Sequence, residues 1–382
     1  MRKPTKIHRL AQIGVCVVLL VFLLVRIWQI HQILPAEIHR WGFIDRAGQI
    51  AIKPRFHRTY PFIEGRAIVE LGGKQAFIDK SGDIINNASF DNVRPFSKGL
   101  AAVEVDKKYG LIDKNGKYVV KPTFEDIGYF SEGLAWVRAD NKRGYINQEG
   151  QLVIQPQFKS SLGFHEGLAA VKRDEKWGYI DKTGRTIIEY VFDDAHSLSE
   201  GLASVEKEGK CGYINKEGKF VIEPKYDWCT PFDKGLAFAR VDSNEFVIDV
   251  KGNMESCSGS FYPSRVMFRE DMGRVKDENH KYGFVNRRKE TVIGFKYDDA
   301  RSFSQNLAAV RSKGKWGYIN KEGQIVIGLQ YDDAHGFSEG LAAVKVGGKW
   351  GCIDRTGDLV IVPKYDYINR FSEGLAEFAV VK

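Results

Sequence analysis

The chain contains few cysteines, and their spacing excludes the common thiolate sites. Its five cysteines are Cys16, Cys211, Cys229, Cys257 and Cys352, and no two of them form a C-x-x-C pair. This excludes thiolate zinc sites and thioredoxin-like redox sites, and the small number excludes a disulfide-dense scaffold. Cys211 and Cys352 stand where similar segments of the chain carry an aromatic residue, which predicts a buried apolar role. A Cys229–Cys257 disulfide in an oxidising compartment is left open by the spacing.

A large excess of basic charge is also missing from most of the chain. The formal net charge is +8. The excess comes from residues 1–40, where Glu37 is the only acidic residue beside six basic ones: Arg2, Lys3, Lys6, Arg9, Arg26 and Arg40. Charges in the remaining residues nearly balance. Because nucleic-acid binding needs a clustered basic surface, we exclude nucleic acid as a partner.

The sequence lacks the catalytic motifs H-E-x-x-H, G-x-S-x-G and G-x-x-x-x-G-K-[ST]. The best candidate constellation is DDAH at Asp193–His196 and again at Asp332–His335, with DDAR at Asp298–Arg301. Paired carboxylates beside a histidine can bind a cation or move a proton. They can equally be turn residues whose side chains bind nearby backbone amides. Repetition favours this structural interpretation, so the sequence predicts a non-enzymatic protein with no catalytic, cofactor-binding or metal-binding residues.

The N-terminal region has the pattern of a membrane signal. Residues 1–9 are basic, and Leu10–Val25 is an uncharged apolar run. Extended to Ile30, the run spans about 30 Å at 1.5 Å per residue, which matches the hydrocarbon core. No small-residue cleavage site follows it, so an uncleaved single-pass anchor is favoured over a cleaved signal peptide. Basic residues before the span predict a cytoplasmic segment at 1–9, a transmembrane anchor at 10–30, a linker at 31–40 and an extracytoplasmic remainder.

The rest of the chain, residues 41–382, repeats one motif about ten times. The segment KWGYINKEGQIVI at 315–327 has close copies at 176–188 and 349–361. Aligned on the residue after Trp, the copies follow one another every 34 residues, except for one step of 37 around a degenerate seventh copy near 245–282. The aligned positions are Gly42, Ala76, Gly110, Gly144, Gly178, Gly212, Phe246, Gly283, Gly317 and Gly351.

Each copy predicts a meander of three β-strands, at GLAAV, WGYID and VI, with a short fourth at DDA. The DKTG-like turn after WGYID keeps its glycine in nine copies, which indicates a positive φ in a hairpin loop. In the FSEG turn, glycine becomes Asp271 and Asn306 in two copies. Gly, Asn and Asp share a tolerance of the left-handed region, so the FSEG turn is predicted to need that conformation.

From Trp41 to Lys382 the chain resembles the WG repeat (KWG repeat) family. The in-register recurrence of WG, DKTG and FSEG segments carries this resemblance. It implies tandem short β units, a mostly bacterial origin and an interaction role, and it brings no catalytic or ligand residues. The seventh copy departs most, because NEFVIDVKGN lacks both Trp and Gly.

The phase of the array favours an all-β, propeller-like closed ring over an open β-solenoid. The array begins with the WGFID strand at Trp41, which has no GLAAV strand before it. It ends with Gly374–Val380, which has no WGYID strand after it. A propeller closes by completing one blade from both termini, whereas a solenoid usually needs atypical capping repeats. Two five-bladed halves and an open superhelix are the alternatives.

Two functions are compatible with such an array. The first is a membrane-anchored scaffold at the cell envelope that binds unidentified protein partners over the repeat surface. The second is lectin-like stacking of exposed aromatic residues on cell-wall glycan. Exposure of the indoles distinguishes the two, and the residues concerned are Trp41, Trp136, Trp177, Trp316 and Trp350.

The predicted anchor can be tested by fractionation. Because the apolar run has no cleavage site, the full-length protein should sediment with membranes. Protease added from outside should digest the repeats. Recovery of a soluble protein that begins after residue 30 would contradict the anchor.

Overall fold

The computed structural model describes residues 39–256, 266 and 268–381. The predicted anchor at residues 10–30 lies outside these residues. No helix in the described part of the chain is long and apolar enough to cross a membrane. The first strand begins at His39, two residues inside the predicted linker.

The fold is an all-β propeller of ten sheets, which we number as blades 1 to 10. In blades 3 to 10 the four strands follow one another in chain order and pair antiparallel. The predicted short strand at DDA or its equivalent comes first in blades 3 to 7, 9 and 10, whereas the first strand of blade 8, Phe268–Arg269, lies at the FSEG position. The proline-containing or equivalent strand forms the outer edge.

The strands of the first regular blades are Asn92–Val93, Leu100–Val105, Lys108–Asp113 and Tyr118–Phe124 in blade 3; Asp126–Ile127, Leu134–Ala139, Lys142–Asn147 and Leu152–Phe158 in blade 4; Ser160–Ser161, Leu168–Arg173, Lys176–Asp181 and Thr186–Phe192 in blade 5; and Asp194–Ala195, Ala203–Lys207, Lys210–Ile214 and Phe220–Tyr226 in blade 6. Those of the later blades are Trp228–Cys229, Leu236–Val241, Asn244–Asp249 and Met254–Ser256 in blade 7; Phe268–Arg269, Met272–Lys276, Tyr282–Val285 and Thr291–Tyr297 in blade 8; Asp299–Ala300, Ala308–Ser312, Lys315–Ile319 and Ile325–Tyr331 in blade 9; and Asp333–Ala334, Ala342–Val346, Lys349–Ile353 and Leu359–Tyr365 in blade 10.

Blade 2 is the irregular member near the N-terminus. It has three strands, Arg58–Thr59, Ala67–Leu71 and Lys74–Ile78. A 3₁₀ helix at Ile85–Asn87 stands where the other blades have their outer strand.

Blade 1 is assembled from both ends of the array. Its strands lie in the order Ile50–Phe56, His39–Asp45, Leu375–Val381 and Tyr367–Ser372. The first strand of the array pairs antiparallel with the last over seven residue pairs, from His39 opposite Val381 to Asp45 opposite Leu375. The predicted pairing of the two ends is therefore confirmed, and the ring is one closed circle rather than two halves or a superhelix.

The core lies between blades rather than within them. At six of the joints the Phe of the FSEG turn packs against the aromatic residue of the WGY strand in the preceding blade. The ring centroids of Tyr213 and Phe232 are 4.7 Å apart, and those of Tyr318 and Phe337 are 4.9 Å apart. Tyr213 and Tyr318 are fully buried. Such pairs contribute about 0.5–1.5 kcal/mol each beyond their buried area, so every blade is stabilised chiefly by its neighbours.

The glycine of the WG dipeptide is required by close packing within the blade. A Cβ on Gly317 would lie 2.6 Å from the carbonyl oxygen of Ile327 and 2.7 Å from that of Gly328. The third strand of the blade pairs with the outer strand here, and their register shifts between Trp316 and Tyr318. The signature dipeptide therefore marks a bulge that brings two backbones together.

A disulfide joins blades 6 and 7. Cys211 and Cys229 are bonded, with their Cα atoms 5.9 Å apart. The open Cys229–Cys257 pairing is thereby ruled out, because Cys229 already has a partner. In other blades the Trp at the Cys211 position packs on the small residue of the next short strand, as Trp316 does with Ala334. Two cysteines in these positions are therefore neighbours, and Cys352 is buried and free as predicted.

One buried carboxylic acid lies on the strand that closes the ring. Glu377 lies on the closing strand with 3% of its surface exposed, and the Asn369 amide donates a hydrogen bond to its Oε2 at 2.7 Å. Desolvation raises its pKa to about 7, from about 4.5. Because the folded state favours the protonated form, the free energy of unfolding should fall as pH rises from about 4.5 to about 7.

Glu377→Gln should stabilise the ring above pH 7, since the amide mimics the protonated acid without a buried charge. We expect a gain of roughly 1–3 kcal/mol at pH 8 and little change at pH 4. Denaturant unfolding at the two pH values measures the difference. An equal effect at both would show that Glu377 is not protonated on folding.

Candidate functional site

The FSEG turn connects the first and second strands of a blade and lies at the joint with its neighbours. Both its Glu and its Gly have positive φ, 57° at Glu200 and 79° at Gly201. Asp271 (67°) and Asn306 (64°) keep this conformation where they replace Gly. The predicted left-handed conformation is confirmed, and it extends to the preceding residue, so the turn is of type I′.

Two successive left-handed residues point their N–H groups to one side and form a small anion-binding concavity. Here the anion is the carboxylate of the preceding blade. Glu64 accepts hydrogen bonds from the amides of Lys98 (2.7 Å) and Gly99 (2.8 Å). The amides of Gly167, Gly201, Gly235, Asn306 and Gly374 donate in the same way to the glutamate of the preceding turn. At Gly340 the acceptor is the neutral amide oxygen of Gln305, at 2.9 Å. At the closure Gly65 donates to Glu373 at 2.9 Å.

Lysines of the DKTG turns add charge to this arrangement. Lys114 Nζ lies 3.2 Å from Glu64, and Lys182 Nζ lies 3.1 Å from Glu132. Burial raises the pKa of Glu64, but the backbone amides and the Lys114 ammonium outweigh it and hold the pKa below its usual value. Glu64 is therefore an ionised structural ligand whose carboxylate is bound by the protein's own amides and lysine.

This ring of contacts changes at the joint between blades 7 and 8. Lys234 replaces the glutamate in blade 7, and Asp271 supplies the carboxylate instead. Asp271 accepts from Lys234 Nζ at 2.5 Å and from Arg287 Nε at 2.7 Å. A further ion pair joins Arg287 to Asp233 at 2.5 Å. Guanidinium and ammonium groups at this joint hold the pKa of Asp271 at about 2.

The core of the same joint is also altered. Val247 stands where Tyr213 stands one blade earlier, so the aromatic pair is absent. The rings of Phe238 and Phe268 stack instead, with centroids 6.4 Å apart. Lys289 occupies the glycine position of the DKTG turn with φ 66°. Its side chain is fully buried, and its Nζ lies 4.3 Å from the Phe238 centroid and 4.7 Å from that of Phe268.

These substitutions leave an open cleft between blades 7 and 8. Its volume is about 250 Å³, whereas the comparable gap between blades 3 and 4 has about 10 Å³. The apolar walls of the cleft are formed by Leu236, Phe238, Val266 and Phe268. The remaining lining residues are Pro231 and the polar residues Thr230, Asp233 and Arg287. A concave apolar site with a few placed charges is the usual form of a binding site.

Comparison with known families decides what the ten blades are. The model of the "WG containing repeat" matches nine segments, at residues 41–74, 76–109, 109–142, 144–177, 177–211, 212–244, 282–316, 316–350 and 350–382. The chain belongs to the WG-repeat family. The matches leave out residues 245–281, which include the degenerate seventh copy and one wall of the cleft.

Solved structures with related shapes are distant from this WG-repeat protein. A eukaryotic initiation factor has 14% identity and a TM-score of 0.47, covering 75% of this chain and 92% of its own. BamB from Moraxella catarrhalis has 10% identity and a TM-score of 0.34, covering 84% and 95%. Hsv2p of Kluyveromyces lactis has 11% identity and a TM-score of 0.35, and the match covers 67% of this chain and 96% of Hsv2p. No curated protein matches the sequence.

The DDAH segments of the WG repeats are occupied by structural contacts. The first Asp joins two blades, as Asp193 accepts from Lys176 of blade 5 and from the Glu208 amide of blade 6. Asp332 and Asp298 make the same two contacts with Lys315 and Gly347, and with Lys281 and Lys313. The second Asp accepts from the next backbone amide, as Asp194 and Asp333 do. Among the described residues no three metal-ligating side chains converge.

The last residue of each DDAH or DDAR segment, His196, His335 or Arg301, does not form a catalytic or metal site with the aspartates of its own segment. The ring of His335 packs on Trp350 with centroids 4.6 Å apart, and burial lowers its pKa to about 4, so it is neutral. Arg301 instead reaches the next blade, where it donates to the Ala334 carbonyl at 2.6 Å. The backbone carbonyl of His196 accepts a hydrogen bond from Tyr179 Oη at 2.8 Å. These segments hold blades together.

The indoles that recur at the WG position, and Trp136, belong to the core or are covered by neighbouring side chains. Trp177, Trp316 and Trp350 are 9%, 4% and 3% exposed. Trp41 and Trp136 are half-buried, and each is covered: Trp41 by Tyr367 at 5.6 Å, and Trp136 by the Arg143 guanidinium at 4.1 Å. An array of exposed indoles, which glycan stacking requires, is not formed by these five residues.

The residues of the cleft were missed by the sequence analysis. Phe238 and Phe268 line the cleft, and Lys289 packs against both rings. All three lie in or beside the degenerate seventh copy, whose departure from the motif predicted only local irregularity. The signal was the replacement of three interblade residues together: tyrosine by Val247, glutamate by Lys234 and turn glycine by Lys289.

Substitution of Gly340 tests whether backbone conformation governs the FSEG turn. Its φ is +80°, and the only heavy atom near an added Cβ would be Arg46 Nη2 at 3.7 Å. Gly340→Val should therefore cost more than about 1 kcal/mol through the backbone alone. Gly340→Asn should cost less, because Asn306 already adopts this conformation. Chemical unfolding measures both, and equal losses would contradict the explanation.

Proposed function

We propose that this WG-repeat protein is a non-enzymatic scaffold that binds other proteins at the cell envelope. It is anchored in the membrane through residues 10–30, and the ring lies outside the cytoplasm. The cleft between blades 7 and 8 receives an apolar side chain of the partner.

The cleft is the observation that carries this proposal. Aromatic pairs of the protein itself fill six of the joints, whereas the joint between blades 7 and 8 opens a cavity of about 250 Å³. Partner anchors typically insert in such desolvated pockets, with charged groups at the margin setting orientation. Arg287 and Asp233 provide that pair of charges here.

Two further observations support the location. The basic and then apolar N-terminal sequence has the pattern of an anchor with its remainder outside. The Cys211–Cys229 disulfide needs an oxidising compartment to form and persist. Both agree with an extracytoplasmic ring.

The carboxylates of the repeats are engaged in structural contacts, which supports a binding role over an enzymatic one. The carboxylates of the FSEG and DDAH segments are held by amides, lysines and arginines of the protein itself. A catalytic carboxylate needs access to substrate and a shifted pKa suited to proton transfer. Hydrogen bonds and neighbouring lysines lower the pKa values of Glu64 and Asp193 instead.

Blocking the cleft tests the proposal. Pro231 lies at its edge, and the equivalent position carries Tyr129 in blade 4 and Arg370 in blade 1, so a long side chain is compatible with the fold there. Pro231→Arg should remove the partner captured by crosslinking in intact membranes. Pro95→Arg is the matched control, because it alters the same position beside the small gap of about 10 Å³.

We expect the partner to be lost at least about tenfold with Pro231→Arg and retained with Pro95→Arg, since filling a hot-spot pocket costs roughly 2 kcal/mol or more. Equal capture by both variants would remove the cleft from the binding site.

A further inference from the structure

The chain enters the ring on the face opposite the FSEG turns. His39–Asp45 is the third strand of blade 1, and its Asp45 end leads into a DKTG-like turn. In that turn Arg46 Nη2 lies 3.7 Å from the position of a Cβ on Gly340, so the turn is on the FSEG face. The strand therefore begins, at His39, on the other face, where a tight turn joins the second and third strands of each blade. We call this the hairpin face.

The charge of the hairpin face is distributed unevenly around the ring. Blades 2 to 10 each have a hairpin between their second and third strands, and seven of these nine segments contain Asp or Glu. The seven are ELGGK at 70–74, EVDKK at 104–108, RADNK at 138–142, KRDEK at 172–176, EKEGK at 206–210, RVDSN at 240–244 and KDENHK at 276–281. The two without an acidic residue are RSKGK at 311–315 in blade 9 and KVGGK at 345–349 in blade 10. Because blades 9 and 10 precede blade 1 in the ring, the basic hairpins lie beside the point where the chain enters.

Several cations of this region are not neutralised by the protein. The aspartates of the hairpin face are already paired here, Asp332 with Lys315 at 2.6 Å and Asp366 with Lys349. Blade 1 adds the guanidinium of Arg40 next to the entry point. The lysines of blades 9 and 10 that have no carboxylate partner among the described residues are Lys313, Lys345 and Lys364. We call Arg40 and these three lysines the basic sector.

The opposite part of the hairpin face is acidic. Blade 6 lies across the ring from blade 1, and its hairpin carries Glu206 and Glu208. Blade 7 adds Asp242, and both Glu208 and Asp242 are exposed. A surface that is positive near the entry point and negative across the ring is oriented by any negatively charged plane that it approaches.

The predicted anchor brings such a plane close to the basic sector. Eight residues, 31–38, separate the predicted span from His39. A chain of this length reaches at most about 28 Å, so blade 1 stays near the bilayer in which the chain is anchored. Anionic head groups attract lysine and arginine over about one Debye length, which is about 10 Å at 0.1 M salt.

We propose that the basic sector binds the anionic phospholipid head groups of the membrane that holds the anchor. Blades 9, 10 and 1 rest on the bilayer by their hairpin face. The FSEG face, on which the cleft between blades 7 and 8 opens, is turned away from the bilayer toward the partner. This inference rests on the anchor of the proposed function, and it adds a lipid-binding surface on the other face of the ring.

Acetylation of lysines in the full-length chain tests the proposal. The chain is reconstituted into vesicles of phosphatidylcholine and into vesicles of equal parts phosphatidylcholine and phosphatidylglycerol. A membrane-impermeant reagent modifies exposed amines, and mass spectrometry gives the rate at each lysine relative to Lys251, which is exposed on the FSEG face of blade 7. Lys225 of blade 6 is the matched control for Lys364, because their Nζ atoms lie 5.2 Å and 5.1 Å from the ring of the following tyrosine.

We expect Lys313, Lys345 and Lys364 to react about fivefold more slowly or less in the anionic vesicles than in the neutral ones, since bound phosphates shield their ammonium groups. Lys225 should react equally in both. Salt at about 1 M, where the Debye length is about 3 Å, should abolish the difference. Equal rates for the basic sector in both kinds of vesicle overturn the proposal, and so does a slowing that extends to Lys225.

A pair of double variants tests the charges directly. Lys313→Glu with Lys364→Gln uses residues that the repeat already carries at these positions, since Glu208 has φ 53° where Lys313 has 50°, and Gln330 is the equivalent of Lys364. Lys207→Glu with Lys225→Gln makes the same change of charge in blade 6. The first variant should lose the protection of Lys345 in anionic vesicles, and the second should keep it. Equal protection of Lys345 in both variants contradicts the proposal.

Flotation separates the lipid contact from the anchor on which it rests. A chain that floats with neutral vesicles, but whose basic sector is not protected in anionic ones, contradicts the lipid contact alone. A full-length chain that does not float with neutral vesicles contradicts the anchor, and the lipid contact with it.

Discussion

The antiparallel pairing of His39–Asp45 with Leu375–Val381 is the contact on which the rest of the ring depends. A blade of three or four short strands has two apolar faces and cannot bury either by itself. Each face is covered by the neighbouring blade, through aromatic contacts such as Tyr213 with Phe232. In an open array the first and last blades would each leave one face exposed. Closure removes both ends at once, so the terminal copies need no special capping sequence.

Closure also makes the joints equivalent, and this explains why the same polar contacts recur around the ring. A glutamate in the left-handed region is an unfavourable choice for its own backbone. It is kept because its carboxylate satisfies the two amides of the next turn, which face the same way for the same conformational reason. The local strain of one turn thus stabilises its neighbour. At the closure, Glu373 and Gly65 form this contact across 308 residues of sequence separation.

In a structure of repeated contacts, specific function is expected where the repeat fails. The joint between blades 7 and 8 loses its aromatic pair and its glutamate together, and Lys289 enters the core in place of a turn glycine. The result is a cleft with apolar walls and an ion-paired margin.

Local patterns in the sequence were sufficient for the strands, the turns and the closed ring. Strand alternation, the glycine of DKTG and the Gly, Asp and Asn of FSEG each depend on the conformation of one or two residues, which composition reveals directly. The unpaired strands at Trp41 and Gly374 indicated closure because they complete each other. The partners of side chains were decided only by the tertiary structure. Cys211 meets Cys229, Glu64 meets Lys98 and Gly99, and Lys289 lies between Phe238 and Phe268 because neighbouring blades bring them together. Such contacts depend on how one blade packs against the next. That packing involves residues about 34 positions apart or more, so no local sequence pattern reveals it.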